Sequence, residues 1–420
     1  MERKTPDRFQ RLAYLDGLRG LAACMVLFAH LIMMVWPSLV TAEIYPVDTP
    51  AWQRALAGSP LSALWDGRLA VDIFFVLSGY VLTAAVAERP TSFPALAAKR
   101  YLRLLLPVMA ATLPALLLQP RGLFFHHDLG LVTGSSWLYK QTIIGFHPSV
   151  LSWLYNGIWV VFFVDGETSF NSPLWTMRFE WYGSLLVFSL CCLLSDPRKR
   201  IPVALLLGVV LANLANYACL HLFCVGMILH DLVRMGRERE NGAGRAVNLV
   251  GLALLGFGLY LPRLVMVLIE AHGVAFSGLL WLRRCLPAWQ GDRWMLAAIF
   301  VVAGVILSPG ARRLLSCSLC RFLGRISFPL YLFQLPLILS FGCWFMLTLL
   351  SRFDMTQAAL LMFAVTGSAA FLIAWIMTMV LERPTLVAAA RLGTAVSALW
   401  LRFRLWLRFA VDRASLRRVP

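Results

Sequence analysis

Residues 15–30 read LDGLRGLAACMVLFAH, an apolar run into which an Asp, an Arg and a His are set. Arg19 and His30 are eleven residues apart. At about 100° per residue they return to within about 20° of one helix face and lie about 16 Å apart along its axis. Asp16, three residues before Arg19, falls close to that face and within reach of an i,i+3 ion pair. Taken singly, the three have ordinary explanations: an interfacial Asp16–Arg19 pair, and a histidine bonded to a neighbouring carbonyl. Taken together they form one polar stripe, and ionisable groups within membrane-length helices are costly and usually functional. Such a stripe suits a general base and an anion-binding group in an enzyme, or a proton or substrate path in a transporter.

Further polar groups interrupt other apolar runs. LAVDIFFVLSGY (69–80) carries Asp72 near its start, where it can cap the helix or orient an imidazole. In NSPLWTMRFEWYGSLL (171–186), Asn171 or Ser172 before Pro173 reads as a helix cap. Glu180 then lies roughly 10 Å into the helix, at a depth shared with His30 and Asp72. Arg178 stands close enough in sequence to neutralise it, and Trp175, Trp181 and Tyr182 read as interfacial aromatics or substrate contacts. KRYLRLLLP (99–107) places Lys99, Arg100 and Arg103 at one helix mouth, as a topogenic cluster or a phosphate clamp. GRISFPLYLFQLPL (324–337) adds Tyr331, Gln334 and two prolines, which open a helix only where the freed backbone groups find partners. The nine cysteines include one CxxC, Cys317 and Cys320, without a second ligand pair. HHD at 126–128 is three adjacent residues rather than a metal cage, so no metal is expected.

The elements that must position these groups are membrane spans. The 420 residues are 60% hydrophobic and 14% charged, and runs near 20 apolar residues recur along the chain, the length needed to cross a bilayer core of about 30 Å. The expected fold is all-α, a polytopic bundle of about ten transmembrane helices: 13–36, 69–87, 103–119, 173–194, 201–215, 217–234, 246–269, 293–309, 326–350 and 357–381. The net charge of +17 resides in clusters between spans, which speaks against nucleic acid as a partner. Basic clusters before the first span (Arg3, Lys4, Arg8, Arg11) and after the second (Arg89, Lys99, Arg100, Arg103), fourth (Arg198, Lys199, Arg200), sixth (Arg234, Arg237, Arg239, Arg245) and eighth (Arg312, Arg313, Arg321, Arg325) fall on one side, placing both termini in the cytoplasm. The loop 261–293 is the exception, with Arg263, Arg283, Arg284 and Arg293 on the opposite side. The N-terminal run lacks a clear cleavage site and reads as a retained first helix. Two outer segments are long, 37–68 and 120–172, and LSWLYNGIWVVFFV (151–164) within the second reads as interfacial or re-entrant. Residues 1–385 form the membrane domain, and 386–420, with ALWLRFRLWLRF, a basic amphipathic cytoplasmic tail.

In combination and in order, these motifs resemble the acyltransferase-3 family of integral-membrane O-acyltransferases. LDGLRG with its Arg-x10-His pair maps onto Arg19 and His30, GRLAVDIFFVLSGY (67–80) matches the second-helix motif, and LWTMRFE places the family's acid at Glu180. KRYLRLLLP, GRISFPLYLFQLP and LERP (381–384) follow in the expected order, so the likeness covers residues 12–385. Many relatives have His where this chain has Gln334, which leaves that position neutral hydrogen bonding only.

The resemblance implies transfer of an acyl group, usually acetyl, from acyl-CoA to a hydroxyl of an envelope glycan, glycolipid or exopolysaccharide. The setting implied is a bacterial inner membrane, with membrane lipids as partners and oligomerisation left open. It gives His30 the role of base, with Glu180 or Asp72 orienting it or binding acceptor. Arg19, Lys99, Arg100 and Arg103 would hold the cofactor, and Asp16, Trp175, Tyr331 and Gln334 the substrate. A transporter or flippase of a lipid-linked sugar or small molecule is the alternative.

Overall fold

The computed structural model describes residues 12–40, 49–87, 92–139, 141, 147–164, 170–237, 245–272 and 293–416. Among these the chain is helical, without strands. Ten principal helices correspond to the ten expected spans: α1 (Ala13–Val35), α2 (Gly67–Val86), α3 (Phe93–Leu118), α4 (Trp175–Leu193), α5 (Pro197–Ala212), α6 (His221–Arg237), α7 (Arg245–His272), α8 (Arg293–Leu307), α9 (Ser318–Leu337) and α10 (Met355–Leu416). Among the described residues seven helical stretches are long and apolar enough to cross a bilayer unaided, and α8 with Pro309–Leu315, bent by 94°, gives an eighth when the bent pair is taken as one span. The helices α4 and α5 fall short of that standard. The first carries Arg178 and Glu180, and the second is only 16 residues long.

Several boundaries lie outside the apolar runs. Helix α3 begins at Phe93 rather than 103 and α9 at Ser318 rather than 326, because polar faces continue each helix beyond its hydrophobic segment. The last helix does not end near 381. It runs through Pro384 for 62 residues, so most of the expected tail is one helix with the final span. Thr385 and Ala389 are buried, and Gly393 lies against Lys99 and Ala95, so this extension packs along the start of α3.

The frame that holds the polar stripe is the packing of α1 on α9. A Cβ on Gly324 would stand 2.3 Å from the Asp16 carbonyl oxygen, and one on Gly20 would stand 2.5 Å from the Gly324 nitrogen. The glycines of LDGLRG and GRISFP thus permit backbone contact, the usual device for close helix crossing in a membrane. We expect Gly324→Leu to force α1 and α9 apart. Poor yield of monodisperse protein, read by size-exclusion chromatography in detergent, checks this, with a surface change such as Leu399→Ala as control.

Proline-freed carbonyls find partners. Pro336 removes the donor that would have bonded the Leu332 carbonyl, and the Asn171 side-chain amide donates to that oxygen at 2.8 Å and to Ala111 O at 3.3 Å. Asn171 is therefore not the helix cap expected of it. It bridges α3 and α9, and a 3-10 turn at Ser172–Leu174 leads into α4. Beyond α9 a π-helical turn, Ile338–Gly342, leads into Cys343–Leu349, and the Phe125 N–H donates to Leu339 O in that turn.

The segment Val150–Phe163 is a short apolar helical stretch, below the length of a span. It contains a π turn at Asn156–Val160 and lies along α3. Trp153 Nε1 donates to Thr112 Oγ1 at 3.0 Å, whereas Ile158 O accepts from Tyr101 and the Phe162 ring packs on Tyr101. Contacts eleven residues apart on α3 correspond to a descent of about 16 Å. Trp181 packs here too, against Tyr101 and Phe163, and is buried rather than interfacial.

Arg200, counted by its sequence position among the basic residues of a loop, is fully buried. It pairs with Asp231 through two bonds of 2.8 and 2.7 Å and donates to Leu194 O, tying α5 to α6. It is a structural ion pair.

Candidate active site

Three cavities adjoin one another along the polar stripe. One, of about 690 Å³, is lined by His30, Asp72, Trp137, Trp175 and Tyr331. A second, of about 240 Å³, is lined by Arg19, Ser78, Arg100, Arg103, Glu180 and Tyr331. The third, of about 580 Å³, is lined by Asp16, Arg19, Arg103, Arg321, Arg325 and Glu382. Val71 and Tyr331 belong to both the first and second walls, and Arg19, Arg103, Ser327 and Phe328 to both the second and third. A chain of cavities thus follows α1 from the Arg19 end to the His30 end.

At the His30 end the imidazole stacks on Trp137, with ring centroids 5.4 Å apart and planes at 17°. The short helix Ser136–Tyr139 carries Trp137 there, held by the Ser135 hydroxyl donating to Met33 O at 2.6 Å. The Gln334 side chain is close enough to act on the imidazole. Yet neither His30 Nδ1 nor Gln334 Oε1, both sealed from solvent, completes a hydrogen bond among the described residues. Nε2 is then the nitrogen left to the cavity. Asp72 is buried in the same wall, one and a half turns into α2. The cap of that helix is Asp66, whose carboxylate accepts from the Leu69 N–H at 3.0 Å.

Glu180 does not join His30. It belongs to the middle cavity, where Arg100 pairs with it at 2.6 Å. The Ser78 hydroxyl donates to Glu180 Oε1 at 2.7 Å and Arg100 Nε donates to Ser184 Oγ at 2.8 Å, so the pair links α2, α3 and α4. The Arg178 guanidinium sits over the Phe179 ring. Between the middle and His30 cavities stands Tyr331, whose hydroxyl donates to Pro173 O at 3.0 Å and contacts Thr176 Oγ1 at 3.1 Å. Gln334 Nε2 donates to Tyr331 O at 3.4 Å.

At the other end Arg19 and Asp16 are 3.5 Å apart, the expected i,i+3 pair. Arg19, Arg100 and Arg103 are close enough for their charges to repel one another. Lys99 is absent from these walls because it is exposed and faces Gly393 of α10. Arg321 and Arg325 take its place, residues read from sequence only as topogenic charge.

The remaining singled-out motifs have local roles. Cys317 caps α9, its sulfur accepting from the Cys320 N–H at 3.5 Å. Among the described residues no group of three His, Cys, Asp or Glu side chains is arranged to hold a metal. His126 is buried with both ring nitrogens unbonded, and burial, reinforced by His127 and opposed by Asp128, pushes its pKa down to about 4. A histidine held neutral in the fold but protonated in the unfolded chain contributes stability above pH 6.5 that is lost as pH falls toward 4. We expect the thermal midpoint to fall across that window, and to fall less in His126→Phe, as read by a melting series in detergent.

A helical bundle with apolar spans around a chain of cavities into whose walls ionisable side chains are set defines an integral-membrane protein with a site inside the bundle. The chain belongs to the acyltransferase-3 family: residues 12–379 match Acyl_transf_3, an acyltransferase domain. It is similar to O-acetyltransferase PaAT-1 of Phomopsis amygdali, 24% identical over 389 residues covering 79% of this chain and 73% of that one. It is also similar to acyltransferase clz18 of Cochliobolus lunatus, 23% identical over 406 residues covering 80% and 85%. No solved structure matches it. The protein is an acyltransferase.

Proposed function

We propose that the protein moves an acetyl or other short acyl group from acyl-CoA to a hydroxyl of an envelope glycan, glycolipid or exopolysaccharide. The cavity series supports this reading above all: an arginine-rich chamber at one end, His30 at the other, and a narrower middle. The ends are about 16 Å apart, a span that suits a cofactor with a long flexible arm. Orientation follows from the basic clusters, with the Arg19 end toward the cytoplasm of a bacterial inner membrane.

In this reading Arg19, Arg103, Arg321 and Arg325 hold the cofactor phosphates, with Asp16 fixing Arg19. The arm enters the middle cavity and brings the thioester carbonyl to Tyr331. The acceptor occupies the His30 cavity, where Trp137 and Trp175 offer aromatic faces and Asp72 a carboxylate for hydroxyls. His30 Nε2 takes the hydroxyl proton as the oxygen attacks the thioester carbon. The C–S bond then breaks, and the imidazolium returns the proton to the departing thiolate, giving ester and free CoA. Gln334, uncharged at its position beside the ring, does not compete for the proton. Glu180 and Arg100 act as a paired brace of the middle cavity.

Membranes carrying the protein are expected to pass label from acetyl-CoA into an envelope glycan or glycolipid. No labelled product from wild type would overturn the proposal. Movement of a lipid-linked sugar across vesicles without acyl-CoA would favour a transporter instead.

A further inference from the structure

A histidine that takes a hydroxyl proton carries a positive charge for part of each reaction cycle. Charge created in a buried site is costly unless a neighbour stabilises it. In Ser-His-Asp enzymes a carboxylate held to Nδ1 does so. Here Glu180, the acid that LWTMRFE singles out, is committed to Arg100 in the middle cavity. His30 Nδ1 makes no hydrogen bond among the described residues.

The group that meets the imidazole face to face is Trp137. The planes are 17° apart and the centroids 5.4 Å, so the imidazole lies over an indole face. That face is electron-rich, and tryptophan is the best of the aromatic side chains at holding a cation within about 6 Å of its centroid. Neutral imidazole gains little from it and imidazolium gains more, so the stack favours the charged form selectively. The backbone around the indole is tied on both sides. The Ser135 hydroxyl donates to the carbonyl of Met33, three residues after His30, at 2.6 Å, and Gln141 Nε2 donates to the Trp137 carbonyl at 3.1 Å.

Other charged groups share the chamber. Asp66, Arg68 and Asp72 come from α2 and the turn before it, Arg263 from α7 and Arg293 from α8. Helix α9 presents Tyr331 and the neutral Gln334. The helix His126–Thr133, packed on α1, carries His126, His127 and Asp128. On α1 itself Arg19 lies about 16 Å away. All of these act on His30 whatever the electron density of the indole. A substitution that changes only that density therefore isolates the stack.

We propose that Trp137 is a positioning residue for the base: its indole face holds His30 and stabilises the imidazolium formed when Nε2 accepts the hydroxyl proton. The proposal rests on the acyl-transfer reading. The proton still passes from the hydroxyl to Nε2 and on to the departing thiolate, and the indole makes and breaks no bond.

The test replaces Trp137 site-specifically with mono-, di-, tri- and tetrafluorotryptophan in the full-length protein. Each fluorine drains the π face while the ring keeps nearly the same size. One readout is the midpoint of His30 protonation, followed by NMR on protein carrying carbon-13 in its histidine rings, with His30→Gln assigning the signal. The other is the rate of label transfer from acetyl-CoA into glycolipid in native membrane vesicles. The midpoint is expected to fall with each fluorine, by about one pH unit over the series. The rate at saturating acetyl-CoA should fall with it, by about threefold to tenfold. The KM for acetyl-CoA and the melting temperature should stay constant, and a tryptophan with a merely structural role would leave midpoint and rate constant as well. A midpoint that is unmoved or rises, or an imidazole that stays neutral until the fold is lost, would overturn the proposal whatever the rates. So would a falling rate with a fixed midpoint, because the indole would then serve the acceptor and not the base. A moving midpoint with an unchanged rate would confine the stack to the resting protein and overturn its part in the reaction. A moving midpoint in a protein whose wild type passes no label sinks the acyl-transfer reading and leaves the effect of the stack on His30 standing.

Discussion

His30→Ala is expected to lower kcat for acyl transfer by about 10²–10⁴-fold, the usual worth of a positioned proton acceptor. The KM for acyl-CoA should stay within about twofold, because the arginine-rich chamber lies at the far end of α1 and the histidine contributes nothing to cofactor binding there. Steady-state kinetics with purified protein would show this split. His30→Gln, which keeps polar volume beside Trp137, should be as inactive as His30→Ala. Recovery of more than a tenth of wild-type kcat in the Gln variant would mean that the imidazole orients the acceptor instead of moving a proton. Gln334→Glu offers a complementary reading. A carboxylate beside the imidazole favours its protonated form, so the rising limb of the pH–kcat profile should move to higher pH, whereas a purely structural Gln334 would leave the profile in place.

The stripe on α1 was legible in sequence because helical periodicity alone fixes the azimuth and rise of Arg19 and His30, whatever surrounds them. The ten principal helices were legible for a similar reason, since apolar length is a local property. What surrounds the stripe was not. Glu180 looked as deep as His30, yet depth on one helix says nothing about which neighbour faces it, and Arg100 from α3 claimed it at 2.6 Å. Trp137 came from a four-residue helix in an outer segment, brought over the imidazole by one serine-to-carbonyl bond that no periodicity announces. Arg200 was mistaken for loop charge because the positive-inside pattern counts residues without knowing burial. The reverse held for Arg263 and Arg293: their breach of that pattern was itself the signal, and only the cavity wall supplied its meaning. The end of α10 was misplaced because hydropathy stops at 381 while helix-forming residues continue to 416.

The buried Arg100–Glu180 pair carries the second large effect. Both side chains are mostly buried, at 15% and 12% exposure, and Ser78 and Ser184 complete the set. Removing one partner leaves the other charge without compensation, so Glu180→Leu or Arg100→Leu alone should cost about 3–5 kcal/mol and lower the thermal midpoint sharply. Removing both restores an apolar contact across α3 and α4, and stability should return to within about 1–2 kcal/mol of wild type, since buried pairs often add little over hydrophobic replacements. Activity separates bracing from chemistry. If the pair only braces the middle cavity, the double variant should regain kcat along with its melting temperature. If Glu180 or Arg100 touches the thioester, the double variant will be stable and still inactive. A double variant as unstable as either single one would show that the ion pair is required by the fold. Because the three outcomes differ in two independent readouts, one set of four proteins assigns the role of the acid that the sequence pattern singles out.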